Sequence, residues 1–357
     1  MKGIKDFYKG KRVLVTGHTG FKGAWLARIL LNCGAKVSGV ALKPETRPNL
    51  FGLLRLKYKL SNHFADVRNF KKLKEIILKE KPEIVFHLAA QPLVRRSYDD
   101  PLYTLETNIM GTANLLQAIK EYGRVRSAVI ITTDKVYKNK RLSRAFKEED
   151  ELGGRDPYSA SKVAAEIVID SHSRSFFGVQ DYGVSHKTLV ASARAGNVIG
   201  GGDWSEDRLL PDIVKSIFEH DGKVIIRNPG HVRAWQHVLE PLRGYLLLAR
   251  ELYQGKKRFS GGWNFGPNAE NFLSVEELLE KTFGILGRGS YSVKKDAGKF
   301  EEHVLRLNSD KARKLLNWRA SFDIDKALRM TLDWYRGFYN GEDVIHITDQ
   351  QINSFFS

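Results

Sequence analysis

Between Thr132 and Lys162 the chain gathers a hydroxyl, a carboxylate, a phenol and two amines. The stretch Thr132-Thr133-Asp134-Lys135-Val136-Tyr137 is followed by a charged insert and then by Asp156-Pro157-Tyr158-Ser159-Ala160-Ser161-Lys162. Together these side chains can donate or accept protons across a wide pH range. Tyr158 and Lys162 are four apart and share one face if the segment is helical. A phenol titrates near ~10. An ammonium beside it favours the phenolate and lowers that value, so the pair is expected to trade a proton with a substrate hydroxyl. The competing reading is an amphipathic helix that carries a Tyr and a Lys by chance. For Asp134 and Lys135 it is a loop salt bridge.

Residues this far apart in sequence work together only if a scaffold brings them to one edge. The preceding sequence reads as such a scaffold. A β-branched run, Arg12-Val13-Leu14-Val15-Thr16, ends in Gly17-His18-Thr19-Gly20-Phe21-Lys22-Gly23, and helical spacing follows over residues 24–31. Strand, Gly-rich turn and helix in that order cradle a pyrophosphate. Gly17 permits the tight turn, Gly20 lets backbone approach the phosphates, and Gly23 lets helix pack on strand. The helix amides then face the anion. Gly17, Thr19, Gly20, Phe21, Lys22 and Gly23 are therefore candidate dinucleotide ligands.

Further strands are predicted over residues 36–42, 63–67, 84–90, 127–133 and 190–194, with a long helix over 101–122. Leu88, Ala89 and Ala90 leave room for a flat cofactor beside a strand end. Asp66, next to Val67, suits either an adenine amino group or the N-cap of the helix that follows. Asn108 is expected to bridge backbone and the cofactor loop, and Thr132 to border the cofactor. The second strand ends in Leu42-Lys43-Pro44-Glu45, without the acid that an NAD ribose usually meets. Lys43 and Arg47 would suit a 2′-phosphate or are surface charges, so NAD and NADP both stand. The run Ala195-Gly196-Asn197-Val198-Ile199-Gly200-Gly201-Gly202-Asp203-Trp204 should leave the sheet and reach a ligand. Arg227 and Arg233 suit a diphosphate, where a guanidinium fork matches the oxygens, with surface ion pairs as the alternative. His237 reads as a packed or capping histidine before a catalytic one. Helices are predicted over 274–283 and 309–318.

The chain has 357 residues, one cysteine and a net charge of +17. That length allows more than one domain. No apolar run reaches the ~18 residues of a membrane span. The Lys-rich N-terminus lacks an apolar core, so no signal peptide is expected. A lone Cys33 forms no internal disulfide and suits a cytoplasmic protein. The positive charge is spread over predicted helix faces, such as 68–81 and 135–147. There is no zinc-finger spacing and no basic arm, so neither nucleic acid nor a metal is an expected partner.

On Gly17 to Gly23, Tyr158 to Lys162 and the strand alternation, the chain resembles the extended short-chain dehydrogenases/reductases, which include nucleotide-sugar epimerases and dehydratases. Five runs narrow the likeness to the CDP-glucose group of 4,6-dehydratases. They are His87-Leu88-Ala89-Ala90-Gln91-Pro92-Leu93-Val94-Arg95, Asp134-Lys135, the Ala193 to Trp204 run, Trp235-Gln236-His237-Val238-Leu239-Glu240-Pro241 and Trp263-Asn264-Phe265-Gly266-Pro267. The resemblance implies an α/β fold: a Rossmann-type doubly wound parallel sheet with a smaller C-terminal substrate-binding domain. The expected division is 1–196 with about 222–260, against about 197–221 with 261–357. It also implies NAD, a nucleotide-sugar substrate such as CDP-glucose, and a homodimer or homotetramer through the helices over 101–122 and 158–177.

The implied reaction is one in which a hydride leaves and returns. Tyr158 takes the 4-hydroxyl proton, Thr133 binds that oxygen, and Lys162 holds the cofactor ribose. Asp134 is the acid for the 6-hydroxyl and Lys135 the base at C5. Gln91, Asn197, Asp203, Leu209, Arg227, Arg233, Gln236 and His237 stand on the substrate side. A 4-epimerase, or a dehydratase of another nucleotide sugar, is the alternative enzyme. A non-catalytic cofactor-binding scaffold is the alternative class, and it would have no use for so many proton donors.

Overall fold

The structure, a computed structural model, describes residues 2–139, 144–294 and 305–357. In chain order the strands are β1 (Arg12–Thr16), β2 (Lys36–Ala41), β3 (Ser61–Phe64), β4 (Ile84–His87), β5 (Ser127–Ile131) and β6 (Leu189–Ala195). They continue with β7 (Asn197–Ile199), β8 (Lys223–Ile226), β9 (Val232–His237), β10 (Gly261–Phe265), β11 (Phe272–Ser274) and β12 (Ser290–Val293). Seven form one sheet in the order β10-β6-β5-β4-β1-β2-β3, and every pairing in it is parallel. The chain reverses its direction of travel between β1 and β4. The carboxyl ends of those two strands therefore frame the crevice where such sheets bind ligands.

Both faces of the sheet are covered, which explains why β4 and β5 are buried along their whole length. Alternation sorts the side chains. Val13 and Val15 pack with Trp25, Leu30 and Leu246 on one side, while Leu14 packs with Leu73, Leu115 and Ile119 on the other. Two smaller sheets, β11-β9-β7 and β12-β8, are formed by strands that follow β6 in the chain.

The expected domain boundaries do not follow this division. Gly261–Phe265, assigned to the smaller unit, is the edge strand β10 of the main sheet. β8 and β9, assigned to the larger unit, belong to the small sheets. Of residues 222–260, the helix Leu239–Tyr253 packs against the main sheet through Tyr245, Leu246 and Leu248. Hydropathy alone does not separate these cases, because every strand involved is apolar on at least one face.

Other expectations shift in detail. Residues 135–147 carry no helix among the described residues, only a 3-10 turn at Asp134–Val136; positions 140–143 lie outside the described residues. The helix Phe70–Glu80 is capped by Asn69, whose side chain accepts from Lys72 N, not by Asp66. The long helix over 101–122 is continuous but changes pitch: Pro101–Leu105 passes into a π-turn, Glu106–Met110, and then into Gly111–Tyr122. π-turns of this kind frequently mark functional sites, and Asn108 lies in this one.

Three histidines, His18, His87 and His237, lie deep in this fold, and burial lowers His18 as well. His87 closes β4 and His237 closes β9, and burial pushes each down to about 3. Unfolded, both would titrate near ~6.5. The unfolded chain therefore binds more protons below that value, so stability falls as pH drops from about 6.5 towards 3. Each proton contributes about 1.4 kcal/mol per pH unit at most. His237→Phe, which keeps a ring between Trp25 and Phe322, is expected to flatten the decline of the urea midpoint between pH 6 and 4. Parallel titrations of wild type and variant check it; an unchanged slope contradicts it.

Candidate active site

The cleft is built on the carboxyl ends of β1, β4, β5 and β6. At the end of β1 the Thr16 hydroxyl pairs with His87 Nδ1 at 2.7 Å and accepts from Ala89 N at 3.2 Å. His87 Nε2 lies 3.3 Å from the Thr112 hydroxyl. This chain of contacts holds the β1 and β4 loops together. Gly17 has φ +73°, and a Cβ there would stand 2.6 Å from Ala89 N. A Cβ on Gly23 would stand 2.1 Å from Gly17 O. Neither position admits a side chain, and the helix Phe21–Asn32 starts from Gly20 with no side-chain cap. Such a bed of backbone fits a pyrophosphate.

Around this bed, Thr19 donates to Leu42 O at 3.0 Å, and the Phe21 ring reaches the loop after β7 beside Gly200. Leu88, Ala89 and Ala90 are partly exposed, directly after four buried residues. Asp66 accepts from Arg68 N at 2.8 Å and pairs with its guanidinium at 2.7 Å, while Val67 packs against Gly111. Asn108 bridges as expected. Its Oδ1 accepts from Gln91 N at 2.9 Å, and its Nδ2 donates to Gln91 O at 3.1 Å and to Ser161 Oγ at 2.8 Å. The π-turn thus ties the β4 loop to the helix that carries Tyr158.

That helix is Pro157–Phe176, capped by Asp156 through Ser159 N. Burial works against the expected acidic phenol. Burial pushes Tyr158 up to about 12, against a hydrogen bond with Thr133 that lowers it. Asp134 and Asp156 raise it further, and Arg208 lowers it. Lys162 is held down to about 8 by burial, opposed by Glu166, and its ammonium donates to Ile131 O at 3.2 Å. Desolvation is the largest influence on both groups.

Thr133 Oγ1 donates to Asp134 Oδ1 at 3.0 Å. Burial raises Asp134 above the usual carboxylate range, although Lys135, Thr133, Arg233 and Lys22 all pull the other way. A carboxyl that burial shifts towards its protonated form, with three cations acting on it, suits a general acid. The same cluster acts on Lys22, which burial holds at about 8, helped by Arg208 and Lys162 and opposed by Asp134 and Asp203. A Cβ on Gly196 would meet Asp134 Oδ2 at 2.9 Å, so the backbone between β6 and β7 forms the wall behind this carboxyl.

The substrate-side candidates divide. Asn197 opens β7 opposite Trp235, and Leu209 opens the helix Leu209–Glu219. Asp203 accepts from Ser205 N at 3.0 Å and faces Arg208 at 3.4 Å. Arg227 meets Asp207 at 2.6 Å, and Arg95 meets the same oxygen at 3.5 Å. Arg233 donates to Val232 O at 3.1 Å and lies 3.2 Å from His231 Nδ1, and its charge lowers Asp134. Gln91 spends its amide on Leu93 O and the Thr104 hydroxyl. Gln236 donates to Phe265 O, and its buried Oε1 has no partner. His237 is fully buried between Trp25 and Phe322, in the core rather than at the cleft. Thr132 donates to Glu166 Oε1 at 2.5 Å. Gly196, Arg95, Arg208 and Glu166 were not singled out from sequence. Glu166 left a signal, since it lies one turn after Lys162 on the same helix.

A family model described as GDP-mannose 4,6 dehydratase matches residues 14–331. The chain belongs to this family. The chain is 45% identical over 354 residues to the CDP-glucose 4,6-dehydratase of Salmonella typhimurium, covering 99% of this chain and 98% of that protein. It is 28% identical over 327 residues to the UDP-glucuronate 4-epimerase of Thermodesulfobacterium geofontis, covering 90% and 95%. Among solved structures, the dTDP-glucose 4,6-dehydratase of Streptomyces venezuelae with NAD bound superposes with a TM-score of 0.79 at 24% identity, covering 94% of this chain and 99% of that one. That last likeness speaks to the fold. It agrees with the parallel seven-stranded sheet and flanking helices of this member of the dehydratase family.

Gly23→Ala places a methyl where the Gly17 carbonyl stands, so the turn must open. It is expected to weaken dinucleotide affinity at least 100-fold while the protein stays folded. Titration calorimetry with the dinucleotide and a melting curve check both halves.

Proposed function

We propose that this protein converts CDP-glucose to CDP-4-keto-6-deoxyglucose with NAD. What supports this reading is Asp134, whose charge acts on Tyr158 and on which Lys135, the next residue, acts in turn; we assign these two residues as a second acid–base pair. A 4-epimerase needs only Tyr158 and the cofactor. The choice of CDP-glucose rests on the end-to-end likeness to the Salmonella enzyme, and the choice of NAD on relatives solved with NAD bound.

The Gly17–Gly23 turn and the helix behind it would hold the pyrophosphate, and Lys162 the adjoining ribose. When bound, a nicotinamide takes a hydride from the sugar C4 and gives it back at C6. Tyr158 accepts the 4-hydroxyl proton as that carbon is oxidised, with Thr133 bound to the same oxygen. A phenol near 12 gives up its proton reluctantly, so the charge of a bound oxidised cofactor is what favours its phenolate. The C4 ketone acidifies the C5 hydrogen. Lys135 removes that proton, and Asp134 protonates the departing 6-hydroxyl, which leaves as water. Lys135 returns its proton to C5 as the hydride reaches C6, and the proton gained by Tyr158 makes good the one lost by Asp134, so one water is lost and the side chains and cofactor end as they began. Arg227 and Arg95 would exchange Asp207 for the substrate diphosphate, where forked donors suit the oxygens.

No helix among the described residues is long and apolar enough to cross a membrane. The buried lone Cys33 suits the reducing cytoplasm. Leu102, Met110, Ile167 and Phe176 are exposed on the long helices at 40–71%. An apolar set on paired helices fits a dimer contact, and larger assemblies would add to it.

With NAD and CDP-glucose the protein is expected to form a product that absorbs in strong alkali, with no net reduced cofactor. An unchanged or 4-epimerised sugar contradicts the reading. Tyr158→Phe is expected to abolish transient cofactor reduction, by at least 100-fold. Lys135→Ala should leave that reduction in place but stop solvent hydrogen exchange at C5, read by mass; unimpaired exchange excludes the role. Ile167→Asp should shift the species in sedimentation towards monomer, whereas an unchanged sedimentation coefficient places the contact elsewhere.

A further inference from the structure

We infer that Tyr137 and the Glu166–Arg194 ion pair are positioning residues for the elimination step, pinning the Asp134-Lys135 segment at both of its ends. The inference rests on the dehydratase reading above and adds a division of labour to it.

The pair is fully enclosed, with side-chain exposures of 6% and 5%. Arg194 Nε and Nη2 donate to the two Glu166 oxygens at 2.8 and 2.9 Å. The Thr132 hydroxyl donates to Glu166 at 2.5 Å and the Ser192 hydroxyl at 2.8 Å. The remaining Arg194 nitrogen donates to Tyr137 Oη at 2.7 Å and to Glu148 O at 3.1 Å. The Tyr137 hydroxyl in turn donates to Asn264 Oδ1 at 2.8 Å. One ion pair therefore grips the chain at Thr132 and again at Tyr137. Only Thr133 to Val136 lie between, and they carry Asp134 and Lys135.

The oxidation side is anchored separately. Tyr158 N donates to Ser97 Oγ at 3.1 Å, Asp156 caps the helix through Ser159 N at 2.9 Å, and Asn108 holds Ser161 at 2.8 Å. None of these bonds involves Tyr137. Loosening the Tyr137 pin should let the Asp134-Lys135 segment drift while Tyr158 and Lys162 stay in place. A displacement on the scale of 1 Å is enough to cost a proton-transfer step a large factor.

The test is a single-turnover absorbance trace with NAD and CDP-glucose, following the rise and decay of reduced cofactor. Tyr137→Phe keeps the ring stacked on Phe146 and removes only the hydroxyl. The expected result is a rise within twofold of wild type and a decay at least tenfold slower, so that reduced cofactor accumulates. Arg194→Lys keeps a charge near Glu166 but cannot reach Tyr137 as well; because Glu166 also sits on the helix of Tyr158 and Lys162, this variant should slow the rise and the decay together. Melting curves confirm that both variants fold. In Tyr137→Phe, equal slowing of both phases, or no slowing of either, overturns the positioning role and leaves the reaction assignment intact. A wild-type protein that shows no rise overturns the reaction assignment and, with it, this inference.

Discussion

Glu166 carries its charge into a place water does not reach, and four donors converge on it there. Burial alone would raise this carboxyl, but Arg194, Thr132 and Ser192 hold it below the usual range. A buried ion pair contributes little net stability once the desolvation of both partners is counted. What it fixes is geometry. Through this one carboxylate the helix that carries Tyr158 and Lys162 is joined to the ends of β5 and β6. Through Arg194 the same junction extends to Tyr137, past the segment that carries Asp134 and Lys135. Loss of either partner would strand an uncompensated charge, so the junction is held as a unit.

Desolvation also governs the groups that touch the cleft. It raises Tyr158 and Asp134 and lowers Lys162 and Lys22, each time towards the neutral form. The four groups together are a store of protonation states that a charged ligand can redistribute. A cofactor that brings positive charge to the phenol moves it towards the anion. In the proposed reading, a diphosphate on Arg227 and Arg95 would release Asp207 and change the field over Asp203, Arg208 and Lys22.

Much of this was legible before any coordinates. The Gly17–Gly23 turn, the alternation of strands and helices, and the Tyr158–Lys162 spacing are local patterns with local causes. The turn needs glycine because carbonyl and amide atoms occupy the space of a Cβ, and that demand is written in the residue type. Asn108 could be assigned a bridging role because an amide inside a long helix has few other uses. Strand ends and domain limits were less legible. Gly261–Phe265 is apolar whether it edges the main sheet or a small one. Asn69 rather than Asp66 caps the helix that follows β3, since two capping types stand close together and only backbone direction chooses between them.

What sequence determined by itself, then, is the set of chemical groups and the order of elements that carry them. Periodicity and residue type act over a few residues, and those distances it reads well. What only tertiary structure decided is which groups share an environment. That burial raises Tyr158, that His237 lies in the core, that Arg227 pairs with Asp207, and that Gly196 backs Asp134 are all results of burial and of contacts between distant segments. Such energies depend on which atoms replace water around a charge, and no spacing along a chain states that.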